Sequence, residues 1–319
     1  MAPEKAKPNR REGGYGFSRY IGRNYQYYLM ALIPVVYFLI FKYGPMAGNV
    51  IAFRKYITGQ SVYGTQWVGL KYIKMFITTP LFWRDLTNSI ILAVGNLVAG
   101  FPIPIIFALL LNELSNRKFK RVVQTVSYMP RFISTVVVVG MMANMLNPNT
   151  GIVNRILGGF GIQPIFFMNE PSWFRPLFIG SNIWQWTGWS AIIYLAALSA
   201  INVELYEAAM IDGAGRFKQV WHVTLPGILP TIVTILIINI GSLLQIGYEK
   251  VLMMQTGLNM PVSDILDTYV YRLGITGVTP LPPNQSLATA VGLFNSVVGL
   301  ILILSANTAA KKVTDNGLF

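Results

Sequence analysis

ELYEAAMIDGAGRFKQVWHVTLPGILP runs from Glu204 to Pro230, between two long apolar stretches, and its local signals are sharp. Asn202 can cap a helix whose first turn holds Glu204, a carboxylate at the positive end of the helix dipole. Gly213 can end that helix in the left-handed conformation, which costs a glycine nothing. The helix predicted between them, about Val203 to Asp212, is only ~15 Å long, and isolated helices under ~12 residues are marginal in water. It needs something to pack against. One stripe carries Tyr206, Met210 and Gly213 and another Leu205, Ala208 and Ala209, so apolar and small side chains point in more than one direction. Such a helix suits insertion into a partner's groove, where alanines permit close backbone approach. Gly215 allows a bend into a second short piece, Arg216 to Trp221, and Pro226 and Pro230 mark the start of the next apolar run. The stretch reads as an interaction module joined to that run.

Both flanks of the module belong in a membrane. Of 319 residues 53% are hydrophobic and only 12% charged, too few solvated side chains to cover a water-soluble surface. Six stretches are long and apolar enough to cross a hydrocarbon core as helices, which takes about 20 residues. They lie near Tyr27 to Tyr43, Thr87 to Leu111, Val122 to Leu146, Leu177 to Leu198, Ile228 to Ile246, and Ala288 to Ala306. The fold class is therefore all-α and integral to the membrane. A tail of residues 1–26 precedes a membrane domain of residues 27–306, which contains the loop 202–230, and a tail of residues 307–319 ends the chain. Pro34, Gly100 with Pro102 and Pro104, Pro130, and Gly188 predict kinks within these spans. Trp67 to Trp83 mixes aromatic, basic and apolar residues as an interfacial helix would, an anchor or a docking surface.

Charge gives the orientation. With the N-terminus inside, 14 of the 25 Lys and Arg fall in inside segments and nine in outside segments, although the outside loops are longer in total. This excess places both termini in the cytoplasm. The net charge of +13 then speaks for anionic lipid rather than nucleic acid. Cysteine is absent and His222 is the single histidine, so no metal-ligand cluster or thiol nucleophile is available. The 12 acidic residues do not form the pairing an enzyme of this kind needs. A passive channel would have no use for the module at Glu204 to Pro230.

EAAMIDGA followed by LPGILP resembles the EAA loop of permease subunits in binding-protein-dependent ATP-binding-cassette importers. The match covers Glu207, Ala208, Ala209, Asp212, Gly213, Ala214, Leu225, Pro226 and Pro230; Val220 departs from it, where the family usually carries Phe, and Trp221 stands beside it. WVGLKYIKMF, NPNTGIVNRIL, YLAALSAI and TYVYRLGI resemble segments of the carbohydrate-uptake branch. VSDILDTYVYRLGI and NSVVGLILILSANTAAKK are similar to permeases for oligosaccharides and uronic-acid polymers such as aldouronates and alginate.

The resemblance implies a six-helix type I importer permease of the bacterial inner membrane, with cytoplasmic coupling helices. Its partners would be a second homologous permease, two cytoplasmic ATPases and an extracytoplasmic solute-binding protein. Tyr206, Glu207, Ala208, Ala209, Met210, Asp212, Gly213, Ala214 and Arg216 would meet the ATPase. No cofactor is implied for this chain; ATP and magnesium would sit on the partner ATPases. In agreement, no Gly-Lys pair of a phosphate-binding loop occurs in the sequence.

Polar side chains within lipid tend to face a bundle interior or a water path. The candidates for a substrate path are Asn88, Asn96, Asn182, Gln185, Asn239, Gln245 and Asn295, with Trp184, Trp186 and above all Trp189 as ring-stacking surfaces and Arg131 as a partner for a uronate carboxylate. Each has a plainer alternative: an interhelical hydrogen bond for an amide, packing for an indole, and capping or snorkelling for the arginine.

Overall fold

In the computed structural model the described residues are 24–63, 66–277 and 283–314, with Gly22. The six cations of the N-terminal tail, Thr279 to Pro282 of the proline-rich loop, and residues 315–319 lie outside them. The chain divides into two units, residues 1–50 and 51–319. The first contains helix α1, Tyr25–Phe38, which is apolar on all sides and buries none of its side chains. A helix of that composition needs lipid or another chain around it. Beyond Pro34 it passes into a π-helical turn, Leu39–Tyr43.

The second unit is helical throughout, apart from one isolated bridge between Arg54 and Trp67 among the described residues. Its helices are α2 (Lys71–Thr78), α3 (Pro80–Gly95), α4 (Pro102–Asn112), α5 (Arg117–Tyr128), α6 (Thr135–Met145), α7 (Ile152–Gly159), α8 (Pro171–Ser199), α9 (Val203–Ile211), α10 (Arg216–Gln219), α11 (Leu225–Gly241), α12 (Tyr248–Met254), α13 (Met260–Ser263), α14 (Leu266–Tyr271) and α15 (Gln285–Thr314). Four helical runs are long and apolar enough to span: 25–53, 80–112, 216–241 and 285–312. Two bent pairs bring the candidates to the expected six only if each pair is counted as one span: 117–132 with 135–145, bent by 100°, and α8 with α9, bent by 70°.

The breaks have local causes, and several expectations are corrected. Between α3 and α4 the chain makes a π turn, Asn96–Gly100, just ahead of Pro102, which has no N–H to continue the ladder. After α5, Pro130 sits in a 3-10 turn and Ser134 caps α6, so the third span is broken rather than kinked. Gly188 does not kink α8, which runs unbroken from Pro171 to Ser199. It is instead a contact point: a Cβ there would lie 2.1 Å from the Ser127 carbonyl oxygen, so only glycine lets α5 and α8 cross this closely. The fifth span ends at Gly241, not Ile246, and starts earlier, because α10 continues through a π turn, Val220–Thr224, into α11. Pro226 again explains the wide turn. Trp67 to Trp83 is not one interfacial helix: Thr79 is extended, Pro80 starts α3, and Phe76 and Phe82 are buried.

Three apolar clusters hold this unit together. Leu92, Val139, Phe174, Phe178, Val251, Met254 and Ile265 join α3, α6, α8 and α12. Phe76, Phe82, Leu266, Tyr269, Leu287 and Val291 join α2, α3, α14 and α15. Ala108, Ala191, Tyr194, Leu198 and Ile228 join α4, α8 and α11. The 29 residues of α8 reach all but the second of these, over about 43 Å at 1.5 Å per residue.

Candidate functional site

At the C-terminal end of α8 the chain turns into α9. Asn202 accepts from the Glu204 N–H at 3.1 Å and donates to its carboxylate at 3.0 Å, closing the N-terminus. Gly213 has φ +76, the Ala214 N–H donates to the Ala209 carbonyl at 2.8 Å, and the helix stops. The loop is then tied to the base of the next span. The Gln219 side chain donates to the Ala214 carbonyl at 2.8 Å, and the Tyr206 hydroxyl lies 3.1 Å from that of Thr224. A helix of nine residues is thus held at both ends while none of its side chains is buried.

Its outer surface is apolar: Ile211 is 87% exposed, and Val203, Leu205 and Met210 are exposed as well. Glu207 and Asp212 are exposed and have no partner among the described residues, while Arg216 reaches Glu113 only at 4.0 Å. Ala209 and Ala214 are half-buried; Ala208 and Gly213 are exposed. Beside the helix, Phe217, 77% exposed, meets Trp221 edge-on at 6.3 Å. Phe217 was not among the candidate residues, although an exposed aromatic one turn before Trp221 was visible in the sequence.

Half-way along α8 lies a cavity of about 530 Å³, lined from α3, its π turn, α4, α8, α11 and the turn after α11. Six of the eleven candidate path residues line it: Asn96, Asn182, Trp186, Trp189, Asn239 and Gln245, the last on the turn rather than on the fifth span. The Arg131 guanidinium lies 3.9 Å from the Trp186 ring centroid. Arg131 itself is not a lining residue, nor are Asn88, Trp184, Gln185 and Asn295. Gln185 is buried and donates to the Ile133 carbonyl at 2.9 Å, satisfying the backbone where the third span breaks. Asn295 donates to Asp267 at 3.2 Å. Phe132 meets Trp189 edge-on at 5.8 Å, so the break also buttresses the cavity wall.

Of a buried polar cluster near the N-terminal end of α8 the sequence reading had only Asn88, which it expected on the substrate path. Asp264, 1% exposed, accepts from Arg84 at 2.7 Å, from Arg272, and from the Thr268 hydroxyl at 2.7 Å. Arg84 also holds Asp85 at 3.0 Å. Asn88 donates to the carbonyls of Pro261 and Asp264 and accepts from Arg175 at 3.0 Å. The segment between α11 and α15 is thereby bolted onto α3 and α8. Lys250 on α12, also buried, donates to Asn182 at 2.7 Å, and burial pushes its ammonium pKa down, to about 8.

A rigid helix therefore carries an exposed, capped loop at one end, a polar and aromatic cavity at its middle, and a locked ionic cluster at the other: the build of a membrane transport subunit driven from outside itself. Residues 100–315 match the family described as binding-protein-dependent transport system inner membrane component, and the chain belongs to it. The chain is 45% identical over 292 residues, 92% of its length and 89% of the relative's, to the polygalacturonan/rhamnogalacturonan transport system permease protein YteP of Bacillus subtilis. It is 37% identical to a chain of a bacterial alginate transporter solved with an alginate pentasaccharide-bound periplasmic protein, with a TM-score of 0.86 over 95% of this chain and all of that one. A second structure, of a transporter that imports the acidic polysaccharide alginate, gives 37% and 0.85 over 94% of this chain and all of that one. The protein is thus the multi-pass inner-membrane permease component of an ATP-binding-cassette importer; it is not itself an ATPase, and its family carries no cofactor.

Proposed function

We propose that this chain is one of two homologous membrane subunits of an importer that carries an acidic oligosaccharide through the cavity on α8. A solute-binding protein delivers the sugar from outside, and two ATPases drive the cycle by holding α9 from the cytoplasm. Both termini then lie in the cytoplasm. The observation that carries the coupling half is α9 itself: nine residues fixed at both ends, with every side chain outside the buried core. ATP-driven closure of the ATPases moves such a helix as a unit. The bonds from Tyr206 to Thr224 and from Gln219 to Ala214 pass the movement to α11, and the direct junction passes it to α8. Two of the helices that line the cavity, α8 and α11, are thus displaced from one end, which suits alternating access.

The substrate half rests on the lining. Carboxamides donate to and accept from sugar oxygens, and the indoles of Trp186 and Trp189 match apolar ring faces. The relatives named for an acidic polysaccharide and for polygalacturonan support an acidic cargo. The test is uptake of a uronic-acid oligosaccharide into liposomes holding the complete importer with its binding protein. One ring contact and one hydrogen bond are each worth about 1 kcal/mol. Trp189→Ala combined with Asn239→Ala should therefore lower uptake by roughly tenfold or more. Uptake at the unaltered rate would remove this cavity from the path.

A further inference from the structure

Lys250 is 6% exposed, and among the described residues no carboxylate pairs with it. Its neighbours are the Phe178 ring, 5.8 Å away, and the side-chain oxygen of Asn182. A buried cation is costly to keep, and the other buried charges of the chain show the usual remedy: Asp264 has two arginines. Lys250 has an amide dipole instead. That dipole leads into the cavity. An ammonium has donors only, so Asn182 must turn its oxygen to Lys250, which leaves its Nδ2 to donate to the Asn96 oxygen at 3.2 Å. With that oxygen occupied, Asn96 has its own Nδ2 hydrogens left, and both asparagines line the cavity.

We infer that Lys250, through Asn182 and Asn96, turns amide donors toward the cavity and gives this part of its wall a positive bias that selects the carboxylate of an acidic sugar in transit. The lysine is a positioning residue: it lies behind the wall and fixes which way the amides face. This rests on the cavity being the sugar's path. Without the lysine, Asn182 can flip, and the chain can present acceptors instead, which repel a carboxylate while still serving a neutral hydroxyl. Three segments far apart in sequence, at Asn96, Asn182 and Lys250, meet here, and none of them is part of the coupling loop.

The experiment uses the complete importer in liposomes with one binding protein. It compares uptake of a uronic-acid oligosaccharide with uptake of the same oligosaccharide after its carboxyls are reduced to alcohols. Lys250→Met is expected to lower the acidic-to-neutral ratio about tenfold, equivalent to about 1.4 kcal/mol, and Lys250→Arg to restore most of it. Asn96→Asp keeps the bond from Asn182 but turns the terminal donor into an acceptor, and it should lower the ratio at least as far. It also serves where Lys250→Met does not assemble. A ratio that stays at the unsubstituted value in Asn96→Asp, or equal losses for both sugars in Lys250→Met, overturns the inference and leaves the path intact. Failure of the unsubstituted importer to take up the uronic-acid sugar overturns the acidic cargo and the inference together.

Discussion

Gly213→Val is expected to give a permease that inserts and assembles but loses at least about tenfold of its transport-linked ATP hydrolysis. The reason is backbone conformation, not space: φ is +76, and an added Cβ meets nothing within 4 Å. A non-glycine residue held there costs about 1 to 3 kcal/mol, with a β-branched one at the upper end. The cheapest relief is to leave the left-handed region, which swings Ala214 away and breaks the bonds that Ala214 makes to Ala209 and Gln219. The helix then keeps its surface but loses its fixed connection to α11. Gly213→Asn separates the causes, because asparagine tolerates this conformation, and it should retain most of the hydrolysis. Equal activity in the valine variant would mean that the connection is not under load during transport.

The second large effect is on stability. Asp264→Ala takes away the acceptor that Arg84 and Arg272 share, leaving Arg84 with Asp85 and Arg272 with the Gln255 side chain, while the Thr268 hydroxyl keeps only the Ile265 carbonyl. Hydrogen bonds to a charged group are worth about 1.5 to 3 kcal/mol, and because both arginines reach solvent the loss should stay in that range rather than reach that of a fully buried pair. The detergent-purified complex should therefore unfold at clearly lower temperature, with aggregation or loss of the sugar-stimulated activity on heating. Asp264→Asn keeps an acceptor for one arginine and should fall between. If the alanine variant melts with the unsubstituted protein, the cluster does not hold the α12 to α14 segment.

These two sites differ in how far the sequence reveals them. Asn202, Gly213 and the α9 helix between them obey rules that act within a few residues, and the structure matches the expected cap and turn. Asp264 lies 180 residues from Arg84, and Lys250 lies 68 from Asn182, so only the fold brings each pair together. Gly188 marks the boundary between the two cases. A glycine in a span serves a kink or a close crossing through the same missing Cβ, and only the position of Ser127 tells which. Gln185 is similar: its place on a span predicts a buried partner, but not that the partner is the Ile133 carbonyl at a broken helix. Four apolar spans were legible because lipid requires long runs; the other two expected spans are bent pairs, and the ends moved wherever proline imposed a wide turn.

The central claim is that a partner ATPase holds α9, and the absence of cysteine from the chain makes it directly testable. Ile211→Cys introduces one thiol at the most exposed of these positions. In the assembled importer, with cysteine-free binding protein and second permease, a short bifunctional thiol reagent that also reacts with lysine should join this position to the ATPase. ATP should change the yield. An importer that transports sugar while this thiol reacts freely with a bulky water-soluble maleimide and forms no product with the ATPase would contradict the account.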